Sequence, residues 1–263
     1  MTWQPRLLAL DIDGTVIDHD GTMPDEIRAA VQRALTAGTR VVLATGRAWH
    51  STRPVFDRLG LPPGMAVASN GAVIVDYPPV EYLREVTFDP GDVIERVARI
   101  APRTAIAAEV VGVGYRVSQP FPDGELDGEI HLVDLDDLAA EPVTRVILRD
   151  SSVSHDDFTA MAHRLGLEGV SYSIGYSSWL DIAPQGINKA AALAGVCAEL
   201  GIDAADVLAL GDGHNDIEML GWAGRGVALG DAPAEVCAVA DAITGRFIDG
   251  GTAAELNRWF PAN

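Results

Sequence analysis

The chain has 263 residues, 48% of them apolar, which is enough for a sizeable core and more comfortable for two domains than for one doubly wound unit. Nineteen Lys plus Arg face 38 Asp plus Glu, a formal charge of -19 that repels phosphate backbones and anionic lipid and so argues against nucleic acid or a membrane surface as partner. Cys197 and Cys237 are too few and too far apart for a disulfide scaffold or a thiolate metal site. No apolar stretch approaches the roughly 18 residues that cross a bilayer, and the amino terminus lacks a processing pattern, so a soluble cytoplasmic protein is expected, monomer or dimer being left open.

In chain order, the run Leu7-Leu8-Ala9-Leu10 predicts a buried strand over 6–11, followed by a helix at about 24–37 and a strand at 40–44, a βαβ unit. A helix at about 50–59 and a short strand at about 65–69 follow, separated by Gly60 and Pro62-Pro63. Asn70-Gly71 reads as the turn of a hairpin with Ala72–Val75 as its second arm. From about residue 82 the texture changes. Val86–Phe88, Ala105–Val110, Tyr115–Val117, Thr144–Leu148 and Gly169–Ser173 read as strands, with helices at about 90–100 and 154–165. The alternating pattern then resumes with a helix at about 186–200, a strand Val207–Leu210, a short helix at about 215–221, a strand Gly226–Leu229 and a helix at about 233–239. The expected architecture is an α/β, Rossmann-like core with a mostly parallel sheet, made by residues 1–82 and 185–263 and split by an inserted α+β domain at 83–184.

Four polar elements sit at element junctions of that core. Asp11-Ile12-Asp13-Gly14-Thr15 closes the first strand at its carboxyl end, where open α/β sheets place their chemistry. Two like charges so close need a cation or a proton, which makes Asp11 and Asp13 a candidate magnesium site. Asp11 is the candidate nucleophile, able to attack phosphorus in line and leave an aspartyl-phosphate. Asp13 can donate a proton to the leaving oxygen and then activate water. Thr45, Gly46 and Arg47, after the second strand, offer a hydroxyl and backbone N–H groups to phosphoryl oxygens. Lys189 can neutralise both nucleophile and phosphoryl group. In Gly211-Asp212-Gly213-His214-Asn215-Asp216, Asp212 would complete the magnesium shell while Asp216 ligates through water or holds the loop. Alone, each element has an ordinary explanation as a solvated aspartate pair, a turn or a surface lysine. Their order, each at a strand or helix end, points to one site.

These motifs resemble the haloacid dehalogenase-like hydrolase superfamily, specifically its Cof-type branch, subclass IIB, with a large α/β cap inserted after the third core strand. The four elements correspond in order to the family's four motifs. The resemblance implies that Asp11 attacks, that Asp13 is acid and base, and that magnesium is held by Asp11, the backbone carbonyl of Asp13 and Asp212. It also implies that Thr45 and Lys189 contact the phosphoryl group and that Asn215 and Asp216 support the site. Ser69-Asn70-Gly71 matches a branch motif, placing Asn70 and Gly71 near phosphate or substrate. Gln185 stands where many relatives carry a lysine before the catalytic one, a departure that bears on the cap hinge rather than on hydrolysis.

The expected activity is therefore a magnesium-dependent phosphomonoesterase for a small soluble phosphorylated metabolite, with sugar phosphates the leading class because many relatives with such caps accept them. A phosphotransferase using the same intermediate, or a catalytically silent phosphometabolite-binding regulator, are the alternatives. Tyr115, Arg116, Tyr172, Tyr176 and Trp179 are candidates to face substrate. Between Gln119 and Pro142 there are eight acidic residues and no Lys or Arg, which disfavours a highly anionic ligand across that segment.

Overall fold

A computed structural model describes residues 3–18, 20–175 and 178–262. The first apolar run forms β1 (Leu7–Leu10), buried along its whole length. It is followed by α1 (Asp25–Thr36), β2 (Arg40–Leu43), α2 (Trp49–Leu59), β3 (Gly64–Ala68), β4 (Val73–Tyr77) and β5 (Glu81–Glu85). Next come α3 (Gly91–Ile100), β6 (Ala105–Val110), β7 (Gly114–Val117), β8 (Glu129–Leu132), α4 (Leu135–Ala139), β9 (Val146–Arg149), α5 (His155–Leu165), β10 (Val170–Gly175) and β11 (Trp179–Pro184). The chain ends with α6 (Lys189–Leu200), β12 (Val207–Gly211), α7 (Ile217–Trp222), β13 (Arg225–Ala228), α8 (Ala234–Val239), β14 (Ala242–Ile243) and α9 (Gly251–Trp259).

The core sheet has the order β14-β13-β12-β1-β2, every pair parallel. Because successive side chains of a strand face opposite ways, Leu8 and Leu10 pack with α1, α2 and α9, while Leu7 and Ala9 pack with α6, α7 and α8. Burial on both faces explains why β1 reads as a continuous apolar run rather than an alternating one. A parallel bridge from Ala44 to Val67 carries the edge of β2 on to β3, the first strand of the antiparallel sheet β3-β4-β5. This is the Rossmann-like core with a parallel sheet that the sequence predicts.

The second large sheet, β10-β11-β9-β6-β7-β8, forms the cap. Its odd and even positions divide the labour. Ile106, Ala108, Val146, Leu148, Leu180 and Ile182 pack on α3 and α5. Ala107, Tyr115, Val117 and Ile147 take the opposite face, and Ala48 of the core packs against them. One face of the cap is thus closed by its own helices and the other is turned to the core.

Several predicted elements shift. Val86–Phe88 is not a strand: the strand is β5, whose short, largely exposed Glu-Tyr-Leu-Arg-Glu run lacks an apolar face, and Phe88 makes only an isolated bridge to Val143. The expected boundary at 82/83 therefore falls inside β5. The helix expected from 186 starts at Lys189, because Asn188 caps it, its Oδ1 accepting the Ala191 N–H at 2.8 Å. β8, α4, β11, β14 and α9 lie outside every predicted element. Tyr176 falls outside the described residues.

Candidate active site

The parallel strands β1 and β12 lie side by side and both end in acid, so Asp11 and Asp212 leave the sheet at the same edge. The turn after β12 returns Asp216 beneath them, its Oδ2 accepting the N–H groups of Asp212 at 3.0 Å and Gly213 at 2.9 Å. Ligand oxygens of Asp11, Asp212 and Asp216 all lie within 4.8 Å of one another. Lys189, the first residue of α6, is fully buried between two of these acids, its Nζ 2.6 Å from Oδ1 of Asp11 and 2.6 Å from Oδ1 of Asp216. Thr15 donates to Asp212 Oδ1 at 3.3 Å. Gly14 (φ +75) must be glycine twice over, for its left-handed backbone and because a Cβ there would stand 2.5 Å from Asp212 Oδ2.

The electrostatics of this cluster are unbalanced. Three carboxylates share one ammonium, and burial, reinforced by the charges of Asp216 and Asp13, raises the Asp11 carboxyl to about 7 although Lys189 opposes it. Burial and the neighbouring Asp11 and Asp216 raise Asp212 to about 8. Burial would lower Lys189, but Asp11 and Asp216 outweigh it and hold the ammonium above its ordinary range. An oxygen-only donor set carrying excess negative charge in a buried position suits a hard divalent cation.

The loop after β2 borders the same cavity as Asp11 and Asp212. Thr45, buried, accepts the Arg47 N–H on its Oγ1 at 3.1 Å and keeps its own proton for donation. Arg47 turns back to grip Asp13 through two bonds, Nε to Oδ2 at 2.8 Å and Nη2 to Oδ1 at 2.6 Å. Asn70, in the left-handed region at φ 53, accepts from Asn215 Nδ2 at 2.9 Å and so ties the turn after β3 to the turn after β12.

Above these residues the cap closes a cavity of about 540 Å³ bordered by Asp11, Asp13, Thr45, Arg47, Asp212 and Asn215 on the core side. The cap side carries a buried polar network centred on Arg145. Its Nε donates to Glu109 at 3.1 Å, its Nη2 to the Tyr115 hydroxyl at 2.5 Å, and its Nη1 to Asp181 at 3.3 Å and to the Gly46 carbonyl. Ser69 donates to Glu109 at 2.8 Å. The network therefore joins the cap to the core at the loops after β2 and β3. Burial is the main influence on Tyr115, whose hydroxyl is pushed up to about 12, and on Asp181, whose carboxyl is raised against the pull of Arg145.

The family model for haloacid dehalogenase-like hydrolases matches residues 8–256. The chain belongs to this family. Within it, the chain is of the Cof-type branch. It is 30% identical over 97% of its length to a 5-amino-6-(5-phospho-D-ribitylamino)uracil phosphatase of Bacillus subtilis (strain 168), covering 95% of that protein. It is 29% identical over 89% of its length to an HMP-PP phosphatase of Enterobacter sp. (strain 638), covering 87% of it. Among solved structures, a haloacid dehalogenase-like hydrolase from Bacteroides thetaiotaomicron superposes with a TM-score of 0.80 at 25% identity, over 98% of this chain and 100% of that one.

In this haloacid dehalogenase-like hydrolase the residues singled out in the sequence do not all meet. Asp11, Asp13, Thr45, Gly46, Arg47, Asp212 and Asn215 border the large cavity. Asn70, Asn215 and Lys189 border a smaller one of about 80 Å³ beside it. Gly71 borders neither, and its visible task is packing: at φ +101, a Cβ would stand 2.3 Å from the Asn188 carbonyl oxygen. The Asp13 side chain stands with Arg47, outside the carboxylate triad. Of the aromatic and basic candidates, Tyr115 and Trp179 reach the large cavity, Tyr172 borders only the small one, and Arg116 instead bonds the Asp137 carbonyl and Glu141. Sequence reading missed Glu109, Arg145 and Asp181. The available signal was polarity at odd positions of otherwise apolar strands, such as Asp181 between Leu180 and Ile182.

Proposed function

We propose that the protein is a magnesium-dependent phosphatase that hydrolyses phosphomonoesters of small metabolites through an aspartyl-phosphate on Asp11, with sugar phosphates the favoured class. The observation that carries this reading is a buried carboxylate bordering a cavity and held at once by an ammonium and by a carboxylate cluster in need of a cation. Mere binding of a phosphate does not call for a nucleophile and a second carboxylate together.

In this reading Asp11, Asp212 and Asp216 would hold the magnesium, and the family resemblance adds the Asp13 backbone carbonyl. When bound, the ion supplies positive charge to offset both the carboxylates and the phosphoryl oxygens. Thr45, the N–H groups of its loop and Lys189 orient the phosphoryl group so that an Asp11 oxygen lies in line with the ester bond. The Asp11 oxygen forms a bond to phosphorus as the ester oxygen leaves, and Asp13 gives that oxygen its proton. Asp13, now anionic, takes a proton from water, whose oxygen attacks phosphorus and returns Asp11 with release of inorganic phosphate. The Arg47 pair takes both oxygens of Asp13, so one of its two bonds opens when Asp13 carries the proton for the leaving oxygen and re-forms when Asp13 is anionic. The inserted segment from α3 to β11 acts as the cap that excludes bulk water.

The test is phosphate release from p-nitrophenyl phosphate and a sugar-phosphate panel, with magnesium supplied and then chelated. Turnover should require the metal, and Asp11→Asn should lower kcat by about 10³-fold or more while leaving the fold intact. Asp11→Asn protein that keeps its turnover overturns the assignment.

A further inference from the structure

We infer that the cap half of the cavity selects phosphomonoesters whose leaving group is uncharged or cationic and rejects those whose leaving group bears a second anion, with Asp127 a specificity-determining residue. The inference rests on the phosphatase reading and narrows its substrate class.

It begins with where the positive charge has gone. Arg145 is the cation on the cap face of the cavity, and its side chain is only 4% exposed, with each guanidinium nitrogen already donating to Glu109, Asp181, Tyr115 or the Gly46 carbonyl. Arg149, behind that face, gives both its bonds to Glu125 at 2.7 Å. Arg47 gives two to Asp13. Each guanidinium charge around the cavity is thus already paired with a carboxylate among the described residues, and His214 stands with the core loop of Asp212, not on the cap.

The negative charge on the cap is nevertheless in excess. Glu125, Asp127 and Asp181 border the cavity from the cap, and Glu109 lies just behind, four carboxylates against the two cap guanidiniums of Arg145 and Arg149, while Arg47 of the core, near enough to feel the charge of Asp127, is already paired with Asp13. Two of the four come from the segment between Gln119 and Pro142, which has eight acidic residues and neither Lys nor Arg. A second phosphate or carboxylate on the leaving group would enter this field and lose its hydration for no partner. Hydroxyl, amine and ring N–H donors meet acceptor oxygens instead. Trp179, whose ring is fixed by an Nε1 bond to Asp181 at 3.0 Å, and Leu126 give the same space an apolar side that suits a ring or carbon skeleton.

Three aryl esters of one shape test this: phenyl phosphate, 4-(aminomethyl)phenyl phosphate and 4-carboxyphenyl phosphate. The carboxylated phenol is a better leaving group than phenol, so chemistry alone ranks its ester ahead of phenyl phosphate. The expected kcat/KM is instead lower for the carboxylated ester by about tenfold or more, the difference lying in KM. Asp127→Lys, a change at an exposed position, should narrow that gap at least about threefold by improving the carboxylated ester. Calorimetric binding of the same esters to Asp11→Asn protein with magnesium ranks them without turnover, so it separates the two readings. Ranked binding without turnover in the unaltered protein would end the phosphatase reading alone. Equal kcat/KM or equal binding across the three esters, no binding of any, or a gap unmoved by Asp127→Lys would overturn the selectivity.

Discussion

Lys189 shows how much one side chain can carry. It is fully buried, and its single charge stands between Asp11 and Asp216, themselves buried. Removing one partner of a buried ionic group leaves the others uncompensated, so Lys189→Met should destabilise the metal-free protein by about 3–5 kcal/mol in denaturant unfolding. Adding Asp216→Asn should restore part of that loss, because the two sites share one network and their effects cannot add. A double variant as unstable as the sum of the singles would show that the pair is not coupled. In the sequence Lys189 is an ordinary lysine at a helix start, and only the acidic strand ends at Asp11 and Asp212 give it a role. Asp11, Asp13 and Asp212 were legible because charge directly after an apolar strand is expensive to bury and so announces itself. Arg145 was not, since an arginine flanking a strand gives no sign that its partners lie 36 residues away on either side, at Glu109 and Asp181.

At the scale of elements, the site depends on close backbone approach as much as on side chains. The turn after β3 rests on the first turn of α6, and Gly71 is where they touch. Gly71→Ala combines a strained left-handed backbone with a Cβ 2.3 Å from the Asn188 carbonyl oxygen, so either the turn or the helix start must move. The expected cost is about 2 kcal/mol or more in unfolding free energy. A fall in kcat should accompany it, because Asn188 caps the helix that presents Lys189. Ala at position 71 with unaltered stability and turnover would show that the contact is slack. The strands of the parallel core were readable from apolar runs, since burial on both faces leaves no other pattern. The missed strands fail for a physical reason as well. β5 and β8 are short and largely exposed, so no buried face marks them, and in β11 Asp181 and the terminal Pro184 interrupt the apolar run.

For the whole molecule, the carboxylate cluster links proton binding, metal binding and stability. The native carboxyls of Asp11 and Asp212 are raised from 3.8 to about 7 and about 8, mainly by burial. Between pH 4 and pH 8 these two sites therefore hold more protons in the folded protein than in the unfolded chain. The derivative of unfolding free energy with pH is negative there, and stability that is full below the unfolded pKa is lost as pH rises through the native values. A divalent cation binds the deprotonated form, so it should displace those protons and return the lost stability. At one fixed concentration, about a hundred times its Kd at pH 8.5, magnesium should accordingly raise the melting temperature by about 5–10 °C at pH 8.5 and by less than half of that at pH 6, where protons compete for the same oxygens. The chain's formal charge of -19 also disfavours the folded state at high pH, through a general repulsion that is indifferent to any one site. Asp212→Asn separates the two effects. It should flatten the metal-free decline between pH 6 and pH 8.5 and shrink the magnesium shift, whereas a decline owed to overall charge would survive it. A magnesium shift that is the same at both pH values, or one untouched by Asp212→Asn, would mean that the three carboxylates are not where the ion binds.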